Sequence, residues 1–347
     1  MTAFLLLGVF SVCVAIGTPI GTSMCLASIC TLFTTGMGFA MVPYNYYASL
    51  SKFLLLAIPF FVLSGNIMAK AGISTRLVQF IDDCIGHRRG GIAIVCVVVA
   101  CFFGAISGSG PATTAAVGSM CIPFMVEMGY EKRWSAGLIA VAGGLGVIIP
   151  PSIPFVLYSL ATGVSTGDLF LAGVIPGILI GLFMMAYAVI FCITKGEDKQ
   201  RIRAKMSELR GNGFLKLFAD SFFALLCPII VLGGIYSGIV TPTEAACVSV
   251  FYALFVSLVV YRSITLKDLI PFLASSVKTY GGLAFVLAFA TAFGRVLSLT
   301  RATKVIEDFI VGNFTTSWSV LSVLVILFLI LGMVMDTGPA IVILAPI

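Results

Sequence analysis

Two clusters of small, polar and helix-breaking residues interrupt a strongly apolar stretch between Gly104 and Ser152. The first reads Ser107-Gly108-Ser109-Gly110-Pro111 and runs on to Thr113 and Thr114. The second reads Gly143-Gly144, then Gly146, then Pro150-Pro151-Ser152. An unpaired backbone N–H or C=O costs several kcal/mol in hydrocarbon, so such breaks persist only inside protein or along a watery cavity. Two of them this close predict discontinuous helices whose ends meet near the membrane midplane, where secondary transporters bind ions and substrate.

The composition places these breaks in a membrane. Of 347 residues, 60% are hydrophobic and 10% charged, whereas about 25% are charged in a soluble domain. The chain reads as an all-α, polytopic membrane protein. The net charge of +6 is spread over short loops, which is how topology is encoded, and not as a nucleic-acid footprint. The N-terminal apolar run lacks a basic region and is too long for a signal peptide, so it reads as an uncleaved first span. Ten cysteines without a C-x-x-C pair and a single histidine, His87, give little support to a metal or disulfide framework. Cysteine as a small buried hydrophobe is the simpler reading.

Ala3 to about Phe33 exceeds one crossing and contains Gly17-Thr18-Pro19, so it is tilted, broken or both. A second run, Phe53 to Ala69, contains Pro59 and Ser64-Gly65-Asn66. An amphipathic piece follows, with Arg76, Asp82 and Asp83 on one side and Leu77, Phe80 and Ile81 on the other. It lies at the interface or bridges two spans. Basic flanks at His87-Arg88-Arg89 and Lys132-Arg133 prefer the same side of the membrane. The limbs between them are short of the roughly 20 residues that span. A re-entrant hairpin over 92–127 with SGSGP at its tip satisfies both conditions. A broken helix over 135–160 comes next, then a span over 169–194. Residues 195–216 carry Lys195, Lys199, Arg201, Arg203, Lys205, Arg210 and Lys216 against Glu197, Asp198 and Glu208. They read as a basic cytoplasmic linker. Further spans are expected at about 218–236, 245–261, 272–299 and 318–334.

Three segment pairs recur in order at a nearly constant offset. Thr18-Pro19-Ile20 matches Thr241-Pro242-Thr243, and Leu77–Ile81 matches Ile306–Ile310. Ser109-Gly110-Pro111-Ala112 matches Thr337-Gly338-Pro339-Ala340. Such repeats are usual in inverted-topology transporters. They divide the chain into a first repeat, 1–194, and a second, 217–347. The second repeat reads as incomplete, because no partner of the Gly143–Ser152 break follows Ile347.

Several stretches resemble a known family. They are Ile58–Asn66, Gly104–Ser109, Val147–Pro154, Gly167–Gly173, Gly238–Ala246 and Met335–Ala340. With them, nearly the whole chain resembles the large membrane subunit of tripartite ATP-independent periplasmic (TRAP) transporters, the DctM-like family, apparently truncated at the C-terminus. The resemblance implies an elevator-type, sodium-driven importer in the bacterial inner membrane. Its substrate would be an organic acid anion, such as a C4-dicarboxylate, sialic acid or another sugar acid. Its partners would be a periplasmic binding protein and a small TRAP membrane subunit, with Na⁺ as coupling ion and no other cofactor.

Neutral hydroxyls and half-helix carbonyls can replace the hydration shell of Na⁺, while half-helix N-termini favour an anion. The candidate ion-binding residues are accordingly Ser107, Gly108, Ser109, Gly143, Gly144, Pro150, Thr337 and Gly338. The candidate substrate-binding residues are Thr113, Ser152, Asn66 and Arg295. Small residues also serve plain helix packing, and Gly104…Gly108 fits a small-xxx-small motif. For Asp336, cation binding stands level with a wet-cavity or helix-capping role; Glu244 reads as an N-terminal cap, and Arg295 snorkels or meets a substrate carboxylate, with snorkelling favoured. Three other readings stand beside the transporter. An intramembrane serine protease would need a base within reach of Ser109, and His87 lies in a basic loop away from the hairpin. The others are a non-transporting truncated scaffold subunit and a binding-protein-independent anion transporter.

Overall fold

The computed structural model describes residues 2–36, 38–86, 88, 90–195, 214–300, 312–314, 316–334 and 336–345. His87, most of the basic linker, the Ile306–Ile310 segment of the repeat and Met335 lie outside the described residues. Every regular element among the described residues is helical. Among the described residues, four helical stretches are long and apolar enough to cross a membrane: Phe53–Lys70, Thr166–Lys195, Pro242–Val260 and Leu266–Leu299. A fifth crossing is available if the bent pair Lys132–Ile148 and Ile153–Thr162 is counted as one.

The first apolar run is broken, as its Gly-Thr-Pro requires. Helix α1 (Thr2–Ala15) and helix α2 (Ile20–Thr35) are separated by Gly17, at φ +89°. Thr18 Oγ1 donates to the Cys13 carbonyl at 2.7 Å, taking up an acceptor at the end of α1. Helix α3 (Met41–Leu50) precedes a 3₁₀ turn, Phe53–Leu56, that leads into α4 (Ala57–Lys70). Pro59 does not interrupt that run. It is the third residue of α4, where a missing N–H is tolerated best.

Helix α5 (Ile73–Ile85) packs on α6 (Gly91–Ser107). Leu77 and Ile81 are buried, as the pattern predicts. Asp82 departs from it. Expected on the polar side, it is buried, because α5 is covered on two sides, by α6 and by α12 (Phe214–Tyr236).

Helices α6 and α7 (Gly110–Glu127) form the expected hairpin and pack side by side. At 1.5 Å per residue each limb is roughly 25 Å long, short of a ~30 Å hydrocarbon core. The chain continues through α8 (Lys132–Gly143), the single turn α9 (Leu145–Ile148), α10 (Ile153–Thr162) and α11 (Thr166–Lys195). Gly144 keeps right-handed helical dihedrals, φ −60° and ψ −23°. The glycine pair therefore only loosens the helix, and the bend of 41° falls at Pro150-Pro151. Beyond α12 come α13 (Pro242–Phe255), a π-helical turn over Val256–Val260, α14 (Leu269–Leu299), α15 (Ser317–Val334) and α16 (Thr337–Leu344).

The chain forms two compact units, each drawing on both halves of the sequence. One comprises Met1–Leu55, Leu157–Val164 and Lys278–Ile347. Phe10 packs on Phe293 and Tyr46 on Phe289 within it, at ring distances of 5.3 and 5.2 Å. The other comprises Leu56–Val156 and Ser165–Val277. Its core has one cluster around the hairpin limbs, with Val95, Val99, Phe103, Val117, Cys121 and Met125. A second cluster, with Ile67, Leu77, Ala224, Val250 and Val256, joins α4 and α5 to α12 and α13.

Glu244 is the cap the sequence indicates. Its carboxylate accepts from the Thr241 N–H at 2.8 Å, while the Thr241 hydroxyl accepts from the Glu244 N–H at 3.3 Å. Thr241→Ala removes one arm of this box and is expected to lower unfolding free energy by about 1 kcal/mol in detergent denaturation.

Candidate functional site at the hairpin tip

The tip is built by helix termination. Gly108 adopts φ +62°, a left-handed conformation suited to glycine, and its N–H closes onto the Gly104 carbonyl at 2.8 Å. Ser109 is extended and starts α7, with Pro111 in the first turn, where its fixed φ suits the helix. The negative end of α6 thereby meets the positive end of α7.

Side-chain oxygens concentrate at this junction. Ser107 Oγ and Thr113 Oγ1 are 2.8 Å apart, and Thr113 Oγ1 donates to the Ser109 carbonyl at 2.8 Å. Both side chains are buried, Ser107 at 3% and Thr113 at 0% exposure. Thr113, expected among the substrate ligands, is thus paired with an expected ion ligand.

The second break docks on the first. The Ile153 N–H, at the start of α10, donates to the Gly108 carbonyl at 3.1 Å. Ser152 is fully buried, and its hydroxyl donates to the Val147 carbonyl across the break. Close approach rests on glycine. A methyl on Gly104 would lie 2.6 Å from Gly146 Cα, and one on Gly146 would strike the Thr113 hydroxyl. A methyl on Gly143 would strike Thr114. Pro150 is buried beside this contact. Gly144 is exposed, and its nearest neighbour is the Val141 carbonyl of its own helix, so it is not turned toward the tip.

Helix α4 closes another side. A methyl on Gly65 would lie 3.0 Å from Ser107 Cα, so α4 crosses the end of α6 at this residue. Asn66, next in sequence, donates through Nδ2 to Ser276 Oγ at 2.9 Å. The structure therefore gathers Ser107, Gly108, Ser109, Thr113, Gly143, Pro150, Ser152 and Asn66 into one unit. Arg295, Thr337 and Gly338 belong to the other. There Arg295 is exposed on α14, and Gly338 faces Leu157 and Leu283. Asp336 occupies the cap position of α16 without a side-chain capping bond.

Gly65, packed on Ser107, and Ser276, the partner of Asn66, are contacts that sequence reasoning overlooks. The signal for Gly65 is its place between Ser64 and Asn66 in an apolar run. Ser276 offers only the anomaly of a serine pair in an apolar helix.

Broken helices whose opposed ends meet inside the membrane recur in secondary transporters. Residues 7–347 match the family model of the tripartite ATP-independent periplasmic transporter, DctM component. The chain belongs to this family. It is a transport protein rather than an enzyme, and a multi-pass protein of the bacterial inner membrane. It is 37% identical over 347 residues to the isethionate TRAP transporter permease protein DctMQ of Oleidesulfovibrio alaskensis, covering 99% of this chain and 53% of the relative. Against the C4-dicarboxylate TRAP transporter large permease protein DctM of Pseudomonas aeruginosa, identity is 42% over 296 residues, 85% of this chain and 68% of the relative. The sialic acid TRAP transporter large permease protein SiaM of Vibrio cholerae is 32% identical over 333 residues, 95% of this chain and 76% of that protein. The chain thus spans about half the length of the first relative and more of the other two.

In this TRAP-family chain, Gly146→Ala places a methyl against the Thr113 hydroxyl and the Ser109 carbonyl. It is expected to cost about 1–3 kcal/mol, as overpacking does, and to lower the unfolding temperature in detergent. Gly137→Ala, with nothing within 4 Å of the added carbon, is the control and should not lower it.

Proposed function

We propose that this chain is the large membrane subunit of a sodium-coupled secondary importer of organic acid anions. A periplasmic binding protein delivers the substrate, and a small TRAP membrane subunit buttresses the large one. The observation that carries this reading is the Ile153–Gly108 hydrogen bond, which ties the broken helix to a hairpin tip whose hydroxyls are buried. Ser107, Thr113 and the surrounding carbonyls offer uncharged oxygens of the kind that coordinate Na⁺. The N-termini of α7 and α10 converge on the same junction and favour a carboxylate or sulfonate. Cation and anion then stabilise one another where the dielectric is low, which couples their binding.

Family relatives named for isethionate, C4-dicarboxylate, sialic acid and 2,3-diketo-L-gulonate share one substrate chemistry, a small organic anion. The reading includes an inverted repeat. It is supported by the way Thr18-Pro19 opens α2 as Thr241-Pro242 opens α13, and by Thr337-Gly338-Pro339 beginning α16 much as Ser109-Gly110-Pro111 begins α7. Elevator motion follows as a proposal, with hairpin and broken helix travelling as one packed piece.

Uptake in proteoliposomes tests this. The chain is reconstituted with a small TRAP subunit, candidate binding proteins and labelled organic acids, with and without an inward Na⁺ gradient. Uptake is expected to require both the gradient and a binding protein. Ser107→Ala and Pro150→Ala should raise the half-saturating Na⁺ concentration roughly tenfold, about the worth of one charge-assisted contact, with little change in thermal unfolding. Wild-type sodium dependence in both variants would reject the ion-site assignment, and sodium-independent uptake would reject the coupling.

A further inference from the structure

A buried hydroxyl from the second half of the chain bonds to α4, the helix that crosses the hairpin tip. Ser276, on α14, is 3% exposed, and its Oγ accepts from Asn66 Nδ2 on α4. Many serines and threonines elsewhere in the chain bond within their own helix. Ser28 and Thr31 each donate to the carbonyl four residues earlier. Ser276 instead joins two helices that are 210 residues apart in sequence.

Plain helix–helix adhesion is the competing role for such a bond. That role is already filled on α4 by Ser64, fully buried, whose hydroxyl donates to the Ser249 carbonyl of α13 at 3.2 Å. Asn66 differs from Ser64 in being only half-buried. Its amide carries two N–H donors and a carbonyl, and Ser276 occupies one donor. The preceding residue, Gly65, lies against Ser107, so the Asn66 amide is carried on the turn of α4 that meets the hairpin tip. An amide on a freely turning side chain would lose rotamer entropy on meeting a ligand. One held from behind has lost it in advance.

We propose that Ser276 is a positioning residue for substrate: it fixes the Asn66 amide so that its second N–H is presented to the carboxylate or sulfonate oxygen of the transported anion. This rests on the transport reading above. The second N–H suits an oxyanion, whereas the amide carbonyl would suit a cation, so titrating substrate and Na⁺ separately tells the two apart. As proposed, Ser276 acts on substrate affinity and leaves the sodium ligands unchanged.

The test is sodium-driven uptake by the reconstituted transporter, with labelled succinate, sialic acid, isethionate and 2,3-diketo-L-gulonate as probes and substrate and Na⁺ varied separately. For whichever probe is transported, Ser276→Ala is expected to raise the half-saturating substrate concentration roughly tenfold. Maximal rate and half-saturating Na⁺ should change far less. Asn66→Ala should do at least as much, and the double variant no more than Asn66→Ala alone, since Ser276 acts only through that amide. Ser276→Thr, which keeps the hydroxyl, should restore affinity. Multiplying losses in the double variant, or a loss of maximal rate and thermal stability with substrate affinity intact, would overturn the proposal and leave Ser276 as structural glue. A wild-type chain that shows no sodium-driven uptake with any probe would overturn the transport reading and this proposal with it.

Discussion

A backbone cut open inside hydrocarbon has to find its lost hydrogen bonds within the protein, and the arrangement of this molecule follows from that. At each break the replacement is identifiable. The Thr18 hydroxyl takes the Cys13 carbonyl, and the Ser152 hydroxyl takes the Val147 carbonyl. Lys52 Nζ takes the Leu160 carbonyl near the end of α10. At the hairpin tip the replacement comes from the other break, as Ile153 N–H donates to Gly108. Each broken segment completes the other. A site whose backbone is satisfied by its partner's backbone moves as a unit or loses its bonds.

Close contact is the second requirement, and the chain meets it with glycine. Lipid tails are as apolar as leucine, so helices in a membrane associate through dispersion and hydrogen bonds, which reward short distances. Gly104 against Gly146, Gly143 against Thr114 and Gly65 against Ser107 are contacts that a methyl group would open. Close approach is what carries oxygens from three chain segments to one place.

Charge is managed separately. The tip offers neutral oxygens and helix ends, while the acidic and basic groups described at helix starts and loops serve local structure. Glu244 completes a capping box with Thr241, and Asp268 does the same with Thr265. Arg76 lies 4.0 Å above the Tyr261 ring, in a cation–π contact at the edge of the α4–α5–α12–α13 core. Low dielectric penalises a fixed charge that is not matched in every state of a transport cycle. Under the proposed reading, neutral oxygens at the tip would avoid that penalty when a coupling ion leaves.

The sequence by itself determined the membrane class, the helical fold, the hairpin with its SGSGP tip and the position of the Pro150-Pro151 bend. Each is set by local chemistry: hydropathy over a span, glycine where φ is positive, proline where an N–H is missing. It also marked the residues from Ser107 to Ser152 that come together, because breaks in a lipid-embedded helix have to be satisfied within the protein. Tertiary structure decided the rest. Only packing on both faces of α5 buries Asp82 against its amphipathic pattern. Only the crossing of α4 over α6 brings Gly65 to Ser107, and only the course of α14 supplies Ser276 to Asn66. Those contacts join residues far apart in the chain, and no periodicity or spacing encodes which helix face will meet which.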